Sequence, residues 1–380
     1  MKIVFTGGGT GGHFYPIIAI AEAMTDLVRE RRLIEPQLYF MGPDAYDKEA
    51  LFENGIVFIR VPAGKWRRYF SLRNYSDLFV TLAGTLSALA MLFRLYPDVV
   101  VSKGGYGSIP TLMAARLLRI PVVIHESDSK PGRASLFAAT FAAKIAISYE
   151  SAAAFFPKKV QGNIARTGTP IRKALMRVEP EGAREYLKLE QGLPTVYITG
   201  GSQGSQKINE TVITALPALV ALANVIHQTG ENNLKSCEAI AQVILDKDPH
   251  ASRYHAFGYL SQISLQRAAG IADVIVSRAG TGTIAEISTW KKPAILIPIP
   301  ESVSHDQHGN AYAYARTGAA VVIEEGNLTP HLLASEIERI IKDKEVATRM
   351  SASAAGFTDP DAARILAGTV LGIALSHEYE

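Results

Sequence analysis

His13 is the residue in this chain best suited by type and position to handle a proton. It closes the run "FTGGGTGGHFYP" (5–16), in which five of the six positions from 7 to 12 are glycine, directly behind an apolar stretch that reads as a strand. Beside a helix N-terminus an imidazolium is disfavoured, so the ring stays neutral and able to accept a proton. A helix-capping or loop-packing histidine is the alternative reading. Three more glycine turns follow strands: "SKGGYGS" (102–108), "GGSQGS" (200–205) and "SRAGTGT" (277–283). Glycine there permits close backbone approach, and the amides of a following helix can point at an anion. A diphosphate is the natural guest, although any one of these loops alone reads equally as a tight strand–helix turn.

What is missing narrows the guest. Gly7, Gly9 and Gly12 satisfy G-x-G-x-x-G, but the second strand ends "YFMGP" without the acidic residue a dinucleotide ribose needs. A P-loop requires Lys-Ser/Thr after its last glycine, and the chain gives His13-Phe14. Other polar groups sit at strand ends: "HESD" (125–128), with three ionisable side chains; Glu286 in the helix behind the fourth loop, placed to take ribose hydroxyls or to face solvent; and Asp306, Gln307 and Asn310 of "SHDQHGN", of the kind that read sugar hydroxyls.

The elements that position these groups alternate along the chain. "KIVFTG", "PQLYFMG" and "GIVFIRVP" are strands apolar on both faces, a helix runs from Pro16 to Arg29, and the pattern restarts at "LPTVYITGGSQGS". Such runs indicate parallel sheets covered by helices on both sides. An internal echo, "DVVVSKGGYGSIPTLMAARLLRIPVVIH" from Asp98 and "DVIVSRAGTGTIAEISTWKKPAILIP" from Asp273, predicts two similar Rossmann-like halves. The expected domains are 1–165, joined by a last helix from 361, and 166–360. The stretch 78–93, sixteen uncharged residues, is shorter than the ~20 needed to span a bilayer and is expected to be a buried core helix.

A length of 380 residues with 48% hydrophobic content is consistent with two globular domains. A net charge of +3 gives no reason to expect nucleic acid as a partner. The single cysteine, Cys237, excludes an intramolecular disulfide and fits a reducing cytoplasm, and "MKIVFTGGG" enters a strand where a secretory signal would place its apolar run.

Taken together, "GGGTGGHFYP", "GGYGS", "HESD", "GTPIR", "GGSQGS", "SRAGTGTIAE" and "HDQHGNA" resemble, in order and approximate spacing and over nearly the whole chain, the MurG family of peptidoglycan glycosyltransferases in glycosyltransferase family 28. The resemblance implies a GT-B fold, an α/β architecture of two Rossmann-like domains whose parallel sheets face across a cleft. It implies inverting transfer of N-acetylglucosamine from UDP-GlcNAc to the C4 hydroxyl of the muramoyl sugar of lipid I, forming lipid II. It also implies an acceptor-binding N-terminal domain and a UDP-sugar-binding C-terminal one. Thr10, Gly11, Gly12 and His13, with Gly104, Gly105 and Tyr106, would form the acceptor-side loops, the first three also reaching the donor, with His13 as base. Gly201, Ser202 and Gln203 would meet the UDP diphosphate with Arg172, Glu286 the ribose, and Thr281, Asp306, Gln307 and Asp128 the transferred sugar. Backbone near Leu260 would read the uracil.

Two departures stand out: Asp128 and Thr169 occupy positions where the family frequently carries Asn, which leaves a share of base catalysis open to Asp128. No metal is required, a divalent cation being at most a stimulant, because amides and Arg172 meet the leaving charge. "DKD" at 246–248, a potential carboxylate pair for a metal, reads better as a solvated surface. "GKWRRYFSLRNY" (64–75) interleaves cations with Trp66, Tyr69 and Phe70, so Trp66, Arg67, Arg68 and Phe70 are expected to face an anionic membrane. The expected location is the cytoplasm, attached peripherally to the inner face of the cell membrane, with cell-envelope machinery proteins as further partners. A diacylglycerol glycosyltransferase, a UDP-GlcNAc 2-epimerase and a UDP-sugar-binding protein without turnover are the alternatives.

Overall fold

The structure, a computed structural model, describes residues 1–8, 10–65, 73–303 and 305–376. The chain divides into two compact units, Met1–Arg172 with Asp359–Glu380, and Lys173–Thr358. Each is one parallel sheet covered by helices, the form expected of strands that are apolar on both faces.

In the first unit the strands are β1 (Lys2–Thr6), β2 (Gln37–Gly42), β3 (Ile56–Arg60), β4 (Val99–Ser102), β5 (Val122–Glu126), β6 (Lys144–Ile147) and β7 (Ile164–Arg166). They lie in the order β3-β2-β1-β4-β5-β6-β7. The second unit contains β8 (Thr195–Thr199), β9 (Asn224–Gln228), β10 (Tyr254–Phe257), β11 (Val274–Ser277), β12 (Ala294–Leu296) and β13 (Ala320–Val322), ordered β10-β9-β8-β11-β12-β13. Both orders are the Rossmann 3-2-1-4-5-6, with one further strand at the end of the first sheet.

The echo in the sequence has a structural cause. Asp98, just before β4, accepts the amide of Lys2 at 2.6 Å, and Asp273, just before β11, accepts that of Thr195 at 2.8 Å. In each unit an aspartate thus ties the start of the fourth strand to the start of the first, fixing register at the centre of the sheet.

The helix Gly11–Glu30 begins five residues before the expected Pro16 and places His13 in its first turn. It buries Phe14, Ile17, Ile20, Met24 and Leu27 against β1 and β2 and against the helix Ala362–Ser376, whose Leu366, Val370 and Leu371 complete this core. Arg364 and Glu30 join the two helices at 2.8 Å. The stretch 78–93 departs from expectation. It lies in the helix Arg73–Leu95, which buries a narrow stripe including Ala88 and Leu92 and leaves Phe79 71%, Leu82 55%, Leu86 61% and Phe93 71% exposed. An uncharged helix enclosed on all sides and one with an open apolar face have the same composition, so the sequence does not separate them. It is the one helix among the described residues long and apolar enough to cross a membrane, over Tyr75–Leu95.

Candidate active site

In open α/β sheets ligands bind beyond the carboxyl ends of the strands, where the strand order reverses. The reversal falls between β1 and β4 in the first unit and between β8 and β11 in the second. All four glycine loops follow those four strands, two at each switch point.

In the first unit the two loops touch. Gly105, at φ +80°, lies so close to Gly8 that a Cβ on it would stand 2.5 Å from the Gly8 carbonyl oxygen. Thr10 caps the following helix, its Oγ1 3.0 Å from His13 Nδ1. The His13 ring is half-buried, and crowding by protein together with the charge of Lys103 pushes its pKa down to about 4, so the imidazole is neutral near pH 7. Tyr106 carries Lys65 over its ring at 5.2 Å. Arg172 lies 4.1 Å from the Tyr15 ring centroid, a stacking that fixes its guanidinium in the first unit.

The "HESD" segment serves mainly to hold the unit together. His125 is fully buried with Nε2 2.9 Å from the Gly168 carbonyl oxygen, and burial keeps its pKa well below the usual histidine range. Glu126 is also buried, and its two carboxylate oxygens accept the amides of Asp128 at 2.9 Å and Gly132 at 3.0 Å. Asp128 is the half-buried member of the three.

In the second unit Gly201 and Gly204 both take positive φ, and Ser205 caps the helix Gln206–Leu222 by accepting the Ile208 amide. Ser202 and Gln203 are exposed at the tip of the loop. Two residues not anticipated from sequence organise it. Gln228 donates to Thr199 Oγ1 and to the Gly201 carbonyl, each at 3.3 Å, and accepts the Leu260 amide at 3.2 Å and the Tyr197 hydroxyl. Arg278, in the fourth loop, donates to Ser205 Oγ at 2.6 Å and to the carbonyls of Ile297 and Pro298, and pairs with Glu325. The third and fourth loops are thereby held together. The "HQTG" (227–230) that ends β9 and the cation in "SRAGTGT" are the available signals: polar side chains at the ends of strands otherwise apolar.

Thr281 opens the helix Thr281–Trp290 and is buried, with Glu286 half-buried on the same helix. Gln307 accepts the Ile299 amide at 3.2 Å from the helix His305–Ala315; the side chain of Asp306 lies outside the described residues, as do Gly9, Trp66, Arg67, Arg68 and Phe70. Among the described residues no group of three metal-ligating side chains stands together.

His227 is completely buried behind the third loop, with Nδ1 3.0 Å from Tyr254 Oη and Nε2 3.1 Å from Asn209 Oδ1, and burial pushes its pKa to about 3. The unfolded chain therefore binds protons below pH 6.5 that the folded chain refuses, and stability falls as pH drops through that range. Urea unfolding at pH 7.5 and pH 5 is expected to show a loss to which His227 alone contributes about 2 kcal/mol. Equal stability at the two pH values would contradict the buried neutral histidines.

The chain's fold is shared with solved structures across almost its full length. A crystal structure of Acinetobacter baumannii MurG superposes with a TM-score of 0.72 at 23% identity, covering 98% of this chain and 99% of that one. A UDP-GlcNAc 2-epimerase from Neisseria meningitidis bound to UDP-GlcNAc gives 0.67 at 14% identity, covering 98% and 100%. At these identities the likeness is one of fold, the two-domain GT-B architecture.

Sequence comparison goes further. Residues 3–147 match the glycosyltransferase family 28 N-terminal domain and residues 195–366 its C-terminal domain. The UDP-N-acetylglucosamine--N-acetylmuramyl-(pentapeptide) pyrophosphoryl-undecaprenol N-acetylglucosamine transferase of Treponema denticola is 33% identical over 345 residues, covering 87% of this chain and 85% of that protein. The Halothermothrix orenii protein of the same name is 34% identical, covering 93% and 94%. The chain belongs to glycosyltransferase family 28, in its MurG family.

Proposed function

We propose that the protein transfers N-acetylglucosamine from UDP-GlcNAc to the muramoyl C4 hydroxyl of lipid I, with inversion, giving lipid II. The pairing of four glycine loops at two switch points, one pair carrying a neutral histidine, is the observation that supports this reading most strongly. With Nδ1 assigned the proton and donating it to Thr10 Oγ1, His13 Nε2 presents its lone pair to the acceptor. It takes the C4 hydroxyl proton as that oxygen bonds to the anomeric carbon. The bond from that carbon to UDP breaks, its electron pair leaving on the diphosphate, and the new linkage is β.

The exposed tip of the third loop, Gly201, Ser202 and Gln203, receives the leaving diphosphate, with Arg172 a second source of positive charge. Glu286 takes the ribose, and Thr281, Asp306, Gln307 and Asp128 the transferred sugar. At Leu260 the amide is already given to Gln228, so its carbonyl is the group offered to uracil. Thr10, Gly11 and Gly12, with Gly104, Gly105 and Tyr106, hold the acceptor diphosphate. Incubation of protein, UDP-GlcNAc and a short-chain lipid I analogue tests the reaction type. Mass spectrometry and NMR are expected to show a β-linked disaccharide-lipid and free UDP; a UDP sugar epimerised at C2, formed without acceptor, would replace this reading by the epimerase one.

The acceptor's lipid also requires a membrane surface. Tyr75, Phe79, Leu82, Leu86 and Phe93 recur at intervals of three, four or seven along the helix Arg73–Leu95, and so form one exposed apolar face immediately after the cationic segment 64–72. This face is proposed to rest on the inner leaflet, placing the protein at the cytoplasmic side of the cell membrane. Phe79→Asp with Leu82→Asp and Leu86→Asp is expected to abolish co-sedimentation with phosphatidylglycerol vesicles while leaving the melting temperature near wild type. Undiminished sedimentation would remove the face from membrane binding.

A further inference from the structure

Gln228 closes β9, is 5% exposed, and has all four hydrogen-bonding positions of its carboxamide filled. Its Oε1 accepts the Leu260 amide at 3.2 Å and the Tyr197 hydroxyl at 3.4 Å, and its Nε2 donates to Thr199 Oγ1 and to the Gly201 carbonyl, each at 3.3 Å. These partners fix which end is which. With oxygen and nitrogen exchanged, an NH2 group would face the Leu260 N–H and a carbonyl would face the Gly201 carbonyl.

The nitrogen end sets the third loop. The Gly201 amide is turned inward, donating to Thr199 Oγ1 at 3.0 Å, and the Gly201 carbonyl is held by Gln228 together with the Gly204 amide, the latter at 3.0 Å. In a planar trans peptide the N–H points opposite to the C=O, so a Gly201 carbonyl held inward directs the Ser202 amide outward, at the exposed tip. The oxygen end sets Leu260, whose side chain is buried in the core and whose amide Gln228 holds. The backbone that follows Gln228 is wedged between the same two segments. A Cβ at Gly230 would stand 2.3 Å from the Gln203 carbonyl oxygen on one side, while the amides of Thr229 and Gly230 donate to the carbonyls of Phe257 and Gly258 at 2.9 and 3.0 Å on the other.

We propose that Gln228 is a positioning residue that couples recognition of the base to the seating of the diphosphate, so that the second unit binds a uridine diphosphate as one piece. The inference rests on the assignment of Leu260 to the base and of the third loop to the diphosphate. A base bonded to the Leu260 carbonyl fixes Leu260, and with it the hydrogen bond on Gln228 Oε1. An amide that accepts more strongly at oxygen donates more strongly from nitrogen, which tightens the hold on the Gly201 carbonyl and the outward set of the Ser202 amide. By linkage the effect runs equally from diphosphate to base.

The test is amide NMR of the full-length protein with uridine, which carries no phosphate, and separately with inorganic pyrophosphate, which carries no base. In the wild type uridine is expected to shift the amide resonances of Leu260 and also those of Gly201 and Ser202, and pyrophosphate to shift Leu260 as well as the third loop. In Gln228→Met both cross-effects are lost. Gln228→Glu keeps an acceptor for Leu260 and removes the donor to Gly201, so uridine still shifts Leu260 but no longer Ser202; this variant decides the matter if Gln228→Met does not fold. Calorimetry supplies the magnitude: Gln228→Met is expected to lower UDP affinity by about fivefold or more beyond the product of its losses for uridine and for pyrophosphate, a non-additivity that loosening either segment alone does not produce. Uridine that shifts Leu260 but leaves Gly201 and Ser202 unmoved in the wild type, or cross-effects that survive in Gln228→Met, overturns the coupling while leaving the donor assignment in place. Uridine that leaves Leu260 itself unmoved refutes the donor assignment, and the coupling with it.

Discussion

Replacing His13 with alanine is expected to lower kcat by about 10²–10⁴-fold while changing the affinity for UDP-GlcNAc by less than about twofold. The asymmetry follows from position. His13 lies in the first unit beside Thr10, whereas the loop assigned to the donor diphosphate lies in the second, held by Gln228 and Arg278. The pH profile carries a second signature. The free protein holds the imidazole down to about 4, so kcat/KM loses activity only as pH falls toward that value. If both diphosphates bind as proposed, they would stabilise the imidazolium, and the acid limb of kcat is expected at higher pH than that of kcat/KM. Steady-state kinetics with a soluble lipid I analogue, together with calorimetric UDP-GlcNAc binding, measure both quantities. A His13→Ala variant with an unchanged rate would remove this residue from the mechanism.

Gly204→Ala is expected to cost about 3 kcal/mol or more of stability and to weaken UDP binding more than tenfold. Gly204 sits at φ +75°, and a Cβ there would stand 1.8 Å from the Thr229 carbonyl oxygen. That oxygen cannot retreat: Asn209 and Asn233 both donate to it, at 2.9 and 3.0 Å, and the Thr229 amide is held by Phe257. The loop must therefore move, and with it the amides of Gly201, Ser202 and Gln203. Gly280→Ala in the fourth loop is the control, because that position has φ −68° and open space around a Cβ. It should change stability by less than about 0.5 kcal/mol. Equal effects of the two alanines in urea unfolding and in UDP calorimetry would contradict the account of the third loop.

How much of this was legible in the sequence differs from element to element. The glycine turns and their flanking strands could be read because strand period, apolar runs and glycine are local signals, and the repeat from Asp98 and Asp273 announced two similar halves. That the four loops pair two by two depends on strand order, which becomes visible only when β4 and β11 are seen to lie beside β1 and β8. "HESD" was read as three groups facing a ligand; two of them turned out to be occupied by backbone, since a strand-end position does not reveal which way a carboxylate bonds. The helix at 78–93 was expected inside and is largely outside, because composition does not distinguish an enclosed helix from one with an open face. Lys103 was visible only as the cation after a serine, and its burial beneath the loops depends on β1 and β5 lying on either side of β4.

The most direct test of the central claim is transfer of radiolabelled N-acetylglucosamine from UDP-GlcNAc to a short-chain lipid I analogue, with diacylglycerol as the parallel acceptor. The account predicts label on the lipid I analogue alone, dependent on His13. Label on diacylglycerol instead, or UDP-GlcNAc consumed with neither acceptor labelled, would contradict it while leaving the fold and the family in place.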